Sequence, residues 1–291
     1  MRILLFALLG IIFFTSFLSS EVYAETEIFT FKVGDAQFIS FVTSRRNISD
    51  DTFTTPELLQ KYKKIPNYAA SAIVYFLLKD KEEYTLFDTG LPKSSGSDIV
   101  ANLAKVGIKP SEIKRICITH MHGDHIGGLM DNGAAVFPNA QLYIPKSEVQ
   151  YWRERDKQSG RVLSLYEKNL RDFIGGSKIT PLISAVEIIG HTPGHTAYML
   201  GNCDNPQNCA NSMLIWGDVI HANIQFTEPK ITLRYDVDPD TAYISRKKML
   251  LQAVTLKQRV AGMHLAGSGV GKVEKAEGAT ESYRFIPLSG D

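Results

Sequence analysis

The stretch Ile116-Cys117-Ile118-Thr119-His120-Met121-His122-Gly123-Asp124-His125-Ile126-Gly127-Gly128 runs an apolar strand into three imidazoles and one carboxylate. Alternate residues of an extended chain face the same side, so His120 and His122 project together where the run beginning at Arg115 ends. Gly123 lets the backbone turn, after which Asp124 and His125 open a new element and point back towards the same place. Four ligand-capable side chains therefore converge within six residues. Neutral imidazole and carboxylate suit zinc and related divalent ions. A polar surface loop explains one isolated histidine, but not this spacing.

The His-x-His-x-Asp-His spacing resembles the signature of the metallo-β-lactamase superfamily, and further motifs follow in that family's order. His195 stands in Thr192-Pro193-Gly194-His195-Thr196, Asp218 in Leu214-Ile215-Trp216-Gly217-Asp218, and His264 in Gly262-Met263-His264-Leu265. Upstream, Leu86-Phe87-Asp88-Thr89-Gly90 matches the family's Asp-Thr-Gly turn. The resemblance implies an α/β fold of the αββα sandwich type, with two mixed β-sheets face to face and helices on the outer faces. It also implies two Zn2+ per chain, other divalent ions suiting the same donors. His120, His122 and His195 would hold one ion, Asp124, His125 and His264 the other, and Asp218 would bridge them. Seven ligands exceed the four that one zinc takes. A water between two cations loses its proton near neutral pH and becomes a nucleophile, so the implied reaction is hydrolysis, with Asp124 and Asp218 as catalytic carboxylates.

Three further polar residues stand near these motifs, and two of them carry two readings. Asp88 is either a turn carboxylate or the acceptor that fixes the tautomer of a ligand histidine. His191, four residues before His195, reads as a loop residue behind the ligands. His221 lies three residues beyond Asp218, where lactonases of the superfamily place a tyrosine against the substrate carbonyl. It is read either as an electrophile or acid at the reacting group, or as a histidine packed behind the metals.

That departure, with Gln225-Phe226, Ser245-Arg246-Lys247-Lys248, Gly269-Val270-Gly271 and Tyr283-Arg284-Phe285-Ile286-Pro287, looks like the methyl parathion hydrolase branch. Its members are exported dizinc enzymes that cleave phosphotriesters, aryl esters or lactones, generally as homodimers. An acyl-homoserine lactone lactonase is the alternative. Trp152, beside Tyr151, and Phe226 are candidate pocket residues as well as candidate core residues. An aspartate at position 218 speaks against a β-lactamase. A signal peptide, and no added basic C-terminal domain, speak against a glyoxalase II-type thioesterase. His122 speaks against a diiron reductase, and a degenerate binding protein would have lost ligands that are all present here.

Met1-Arg2, an apolar run from Ile3 to Leu18 and the small-residue spacing of Val22-Tyr23-Ala24 have the form of a secretory signal peptide. Residues 1–24 are therefore set apart, and residues 25–291 are expected to form one hydrolase domain, periplasmic or secreted. The chain is 44% hydrophobic with a net charge of +1, which gives no electrostatic footprint for nucleic acid or, after signal cleavage, for a membrane. Of three cysteines, Cys203 and Cys209 flank the polar turn Asp204-Asn205-Pro206-Gln207-Asn208 and suit a disulfide in an oxidising compartment, while Cys117 packs in its strand.

Period and punctuation predict strands at Phe29–Val33, Ala36–Thr43, Ser71–Leu78 and Tyr84–Phe87, forming an antiparallel sheet. A helix follows over Ser97–Val106 with Ser97 as its cap, then strands at Lys114–Thr119 and Gln141–Ile144, and helices at Lys146–Arg155 and Val162–Phe173. Strands return at Leu182–Ile189, Tyr198–Leu200 and Met213–Trp216. A helix over Pro239–Val254 precedes strands at Val260–His264 and Ser282–Pro287. The ligands then fall on loops at one sheet edge.

Overall fold

The computed structural model describes residues 25–209, 211–278 and 281–290. The expected signal peptide, residues 1–24, lies outside the described residues. Among the described residues, two large sheets carry their strands side by side in chain order. The first holds Glu27–Val33, Ala36–Asn47, Ala70–Asp80, Glu83–Phe87, Ile113–Cys117, Gln141–Pro145 and Leu170–Phe173. The second holds Ile183–Glu187, Thr196–Leu200, Met213–Ile215, Arg259–Ala261, Val270–Lys275 and Tyr283–Pro287.

The first sheet begins antiparallel and ends parallel, while the second is antiparallel except for one central pair. Glu83–Phe87, Ile113–Cys117, Gln141–Pro145 and Leu170–Phe173 run parallel, as do Met213–Ile215 and Arg259–Ala261. A parallel pair needs a long crossover, usually a helix. Ile99–Lys105, the pair Lys146–Trp152 and Lys157–Leu165, and Pro239–Thr255 supply three of those crossovers, and the one between Ile113–Cys117 and Gln141–Pro145 carries the histidine motif and the short helix Gly123–Ile126.

Strand alternation sorts the core into layers. Phe38, Val74, Phe76, Leu78, Phe87 and Cys117 meet Tyr198, Leu200, Met213 and Ile215 between the sheets. Their strand neighbours Ile39, Phe41, Tyr75, Leu77, Leu86 and Ile116 turn the other way, onto Ile99, Leu103, Val149, Val162 and Leu163 of the outer helices. On the far face of the second sheet, Leu214, Trp216 and Val260 pack on Met249, Leu250 and Ala253 of the long helix. The expected αββα sandwich is the observed fold. Leu250 is fully buried, so truncation to alanine would cost about 2–5 kcal/mol.

Three local expectations are corrected. Val162–Phe173 is a helix only as far as Leu165, and Leu170–Phe173 is an edge strand of the first sheet, paired in parallel with Gln141–Pro145. The helix Ile99–Lys105 is capped by Asp98, which accepts from the Ala101 N–H, while Ser97 is buried. The strand Val270–Lys275 is absent from the expected set. Gly271, whose Cβ would meet the backbone oxygen of Ile286 and the Phe285 ring, lets this strand close on Tyr283–Pro287.

Asp88, His120, Asp218 and His264 each follow the C-terminal end of a parallel strand: Glu83–Phe87, Ile113–Cys117, Met213–Ile215 and Arg259–Ala261, respectively. His191 sits in the loop after Ile183–Glu187, at the same edge. Ligand sites in open α/β sheets favour this carboxyl edge.

Candidate metal centre

Three ring nitrogens form a triangle. His120 Nε2 lies 3.0 Å from His122 Nδ1, which lies 3.0 Å from His191 Nε2, and His191 Nε2 returns to His120 Nε2 at 3.2 Å. Thr119 Oγ1 gives its proton to Asp88 Oδ2 (2.7 Å), so towards His120 Nδ1 (3.1 Å) it can only accept. That protonates His120 on Nδ1 and turns the Nε2 lone pair inwards. His191 is set the same way by Asp236 Oδ1, 2.8 Å from its Nδ1.

A second group contains Asp124, His125 and His264. Asp88 Oδ2 lies 2.7 Å from His125 Nδ1, and the Ala72 carbonyl lies 2.8 Å from His264 Nδ1, so both rings again turn Nε2 inwards. Asp218 stands between the groups. Its Oδ2 is 3.4 Å from His191 and 3.1 Å from His264, and its Oδ1 is 3.3 Å from His125.

The residues fit a pair of cations. His125 Nε2 and Asp218 Oδ1 are buried without a hydrogen-bond partner among the described residues, and a buried polar atom left so is costly unless something else takes it. Burial holds His120 well below the ordinary histidine range and His122 down at about 3, so both stay neutral, as ligands must be. Burial pushes His191 the same way, but its contacts with Asp218 and Asp236 outweigh that and hold it up at about 9. Burial also opposes a charged His125, yet Asp218, Asp124 and Asp88 raise it well above the usual value. The carboxylates thus favour positive charge at this edge.

The structure differs from the sequence reading over which histidine completes the first group. His191 joins His120 and His122, and His195 does not. His195 Nε2 accepts the backbone N–H of Asp218 at 3.0 Å, so its lone pair is engaged. A Cβ on Gly217 would sit 2.4 Å from that nitrogen, which shows how closely the ring supports the Asp218 loop. Asp88 takes the tautomer-fixing position. His221 is buried, 3.1 Å from Asp218 Oδ2 and stacked on His264 at 5.2 Å between ring centroids. Burial lowers it to about 4.

The cleft above these groups has a volume of about 400 Å³. Arg46, Ile48, Leu91, Pro92, His122, Gly123, Asp124, Gln158, Asp218, His221, Tyr235 and His264 line it. Phe226 is corrected: it is buried against Trp216 and Phe285 on the far side of the second sheet and does not line the cleft. The short helix Ile224–Thr227 turns it there, packing on Tyr283–Pro287. Trp152 also stays out of the cleft lining, but its ring meets His122 edge-on at 5.2 Å. Asp236, Glu148, Arg46 and Tyr235 carried no sequence signal, being brought in by distant elements. Arg46 Nη2 reaches within 3.6 Å of Asp124 Oδ2.

Two facing sheets with His/Asp clusters around one shared aspartate at a common edge, His221 forming a third set with Asp218 and His264, define a class of proteins built around a two-metal edge site. A family model described as Metallo-beta-lactamase superfamily matches residues 69–258, and the chain belongs to that superfamily. Over 147 residues it is 27% identical to an N-acyl homoserine lactonase of Bacillus cereus, a match covering 43% of this chain and 56% of that one. The chain thus spans about half the length of such curated relatives. Among solved structures, the hydrolase AbOPH superposes with a TM-score of 0.78 at 25% identity, over 91% of this chain and 98% of its own. AidC, a dizinc quorum-quenching lactonase, superposes with a TM-score of 0.75 at 24% identity over the same shares, a likeness of fold.

Proposed function

We propose that the chain is an exported, dinuclear metal-dependent hydrolase of small carboxylic esters, lactones foremost. The observation that carries this is the placement of Asp218 between two sets of inward-facing donors. His120, His122 and His191 would hold one ion, and Asp124, His125 and His264 the other, zinc being the first candidate. Bound there, the two ions supply Lewis-acid polarisation of a substrate oxygen and acidify a water molecule.

The chain's own residues do the rest. Ile48, Leu91, Pro92 and Tyr235 offer an apolar wall for an acyl group, while Arg46 and Gln158 offer polar contacts on the same cleft. His221, kept neutral by burial, carries one ring N–H beside the bridging carboxylate, and that N–H can donate to a leaving oxygen. Relatives named as lactonases support the lactone reading. The Cys203–Cys209 disulfide and the apolar N-terminal run support export. The homodimer implied by the methyl parathion hydrolase resemblance belongs to the same proposal, and the mass of the mature protein in solution tests it.

The functional test is a substrate panel on metal-loaded protein: acyl-homoserine and aliphatic lactones, p-nitrophenyl esters, methyl parathion and a cephalosporin. Lactone turnover that disappears with a chelator and returns with metal is the expected result. Turnover of methyl parathion without lactones would move the assignment to phosphotriesters, and turnover of none would overturn it.

A further inference from the structure

Glu148 lies outside the two donor groups, on the helix Lys146–Trp152, and its side chain is fully buried. Its carboxylate spans two loops. Oε2 accepts the backbone N–H of Met121 at 3.0 Å and the indole N–H of Trp152 at 2.7 Å. Oε1 accepts the backbone N–H of Gly194 at 2.8 Å. Met121 is the residue between His120 and His122, and Gly194 lies three residues beyond His191. One carboxylate thus joins the two loops that carry the first donor group, beside the backbone hydrogen bond from the Thr196 N–H to the Thr119 carbonyl at 3.0 Å.

The fit at this junction is close. A Cβ on Gly194 would stand 2.5 Å from Ser147 Oγ and 2.7 Å from the backbone nitrogen of Glu148. Trp152, held by the same oxygen as Met121, sets its ring edge-on to His122. Hydrogen bonds to a charged acceptor in a dry setting are stronger and more directional than neutral ones. The backbone on either side of the histidine triangle is therefore fixed before any ion arrives.

We propose that Glu148 is a positioning residue for the first metal site, setting the His120–His122 pair against His191 by holding Met121 and Gly194 on one carboxylate. This rests on the dinuclear reading above. Glutamine at 148 keeps the size but replaces one acceptor oxygen with an N–H donor, which cannot serve both loops. The triangle should then open on one side while His125, held by Asp88, and His264, held by the Ala72 carbonyl, stay in place.

The experiment titrates zinc into metal-free wild type, Glu148→Gln and Glu148→Leu against a chromophoric chelator, with His264→Ala marking the second site. Amide NMR shifts of Met121 and Gly194 are read in the metal-free proteins. Glu148→Gln should weaken one of the two zinc steps by about 10- to 100-fold, the usual effect of losing a group that orients a ligand. The step that survives in His264→Ala should be the one affected, the other should hold, and both amides should shift. Two unchanged steps would overturn the proposal, as would equal weakening of both with a matching fall in melting temperature. If Glu148→Leu fails to fold, Glu148→Gln decides by the same criteria. Wild type that takes fewer than two ions contradicts the dinuclear reading instead, and the two amide shifts then judge Glu148 by themselves.

Discussion

Asp88 Oδ2 stands 2.7 Å from Nδ1 of His125, and this contact decides which nitrogen of that ring faces the cleft. The carboxylate also accepts the N–H and hydroxyl of Thr119, so one side chain ties the turn after Glu83–Phe87 to the start of the histidine motif. Asp88 holds φ +55°, a conformation that asparagine tolerates. Asp88→Asn therefore keeps the turn and changes the chemistry. Its amide N–H, turned to His125, asks for a lone pair on Nδ1 and so moves the ring proton to Nε2. Affinity for the second ion should fall by about 10- to 100-fold, and unchanged zinc affinity in a chelator competition would contradict this assignment.

His191 and His195 give opposite expectations. His191→Ala removes a donor from the triangle, and elemental analysis of the protein freed of excess metal should show one ion lost. His195→Ala removes the acceptor of the buried Asp218 N–H, at a cost of about 1–3 kcal/mol in thermal or denaturant unfolding. Both ions should remain. The reverse pattern would restore His195 as the ligand.

His221→Phe separates leaving groups. An alkoxide from an aliphatic lactone departs poorly without a proton, whereas p-nitrophenolate departs without one. Lactone turnover should fall by about 10- to 100-fold, at or below the usual span for losing one acid-base group, with ester turnover nearly kept at unchanged metal content. Equal losses on both substrates would return His221 to a packing role.

The disulfide is tested by counting thiols. Denatured, unreduced protein should label once, at Cys117, and three times after reduction. The bridge spans a sequence separation of 6, so the chain-entropy estimate of its contribution is about 2 kcal/mol. Three free thiols in protein recovered from outside the cytoplasm would contradict the pairing.

What the sequence made legible was local. His120, His122, Asp124 and His125 converge because the short run between the end of Ile113–Cys117 and the first turn of the helix Gly123–Ile126 leaves them nowhere else to go, and the edge position of Asp218 and His264 follows from strands that end just before them. The choice between His191 and His195 was not legible. Both sit on one tight loop, and what turns His191 inwards is Asp236, 45 residues away in sequence and anchored near Arg246 at 3.7 Å. Leu170–Phe173 read as a helix because, at a sheet edge, it shows no alternation of burial to betray a strand. Phe226 stood near the bridging aspartate in sequence, but the helix that carries it turns away behind the sheet.

The proposed hydrolase requires two ions at this edge, and both for activity. Stepwise addition of zinc to metal-free protein, with bound metal and lactone hydrolysis read in the same samples, tests it most directly. Activity should stay low through the first equivalent, rise with the second and level off at two per chain. Saturation at one ion, or full activity in the metal-free protein, would contradict the account.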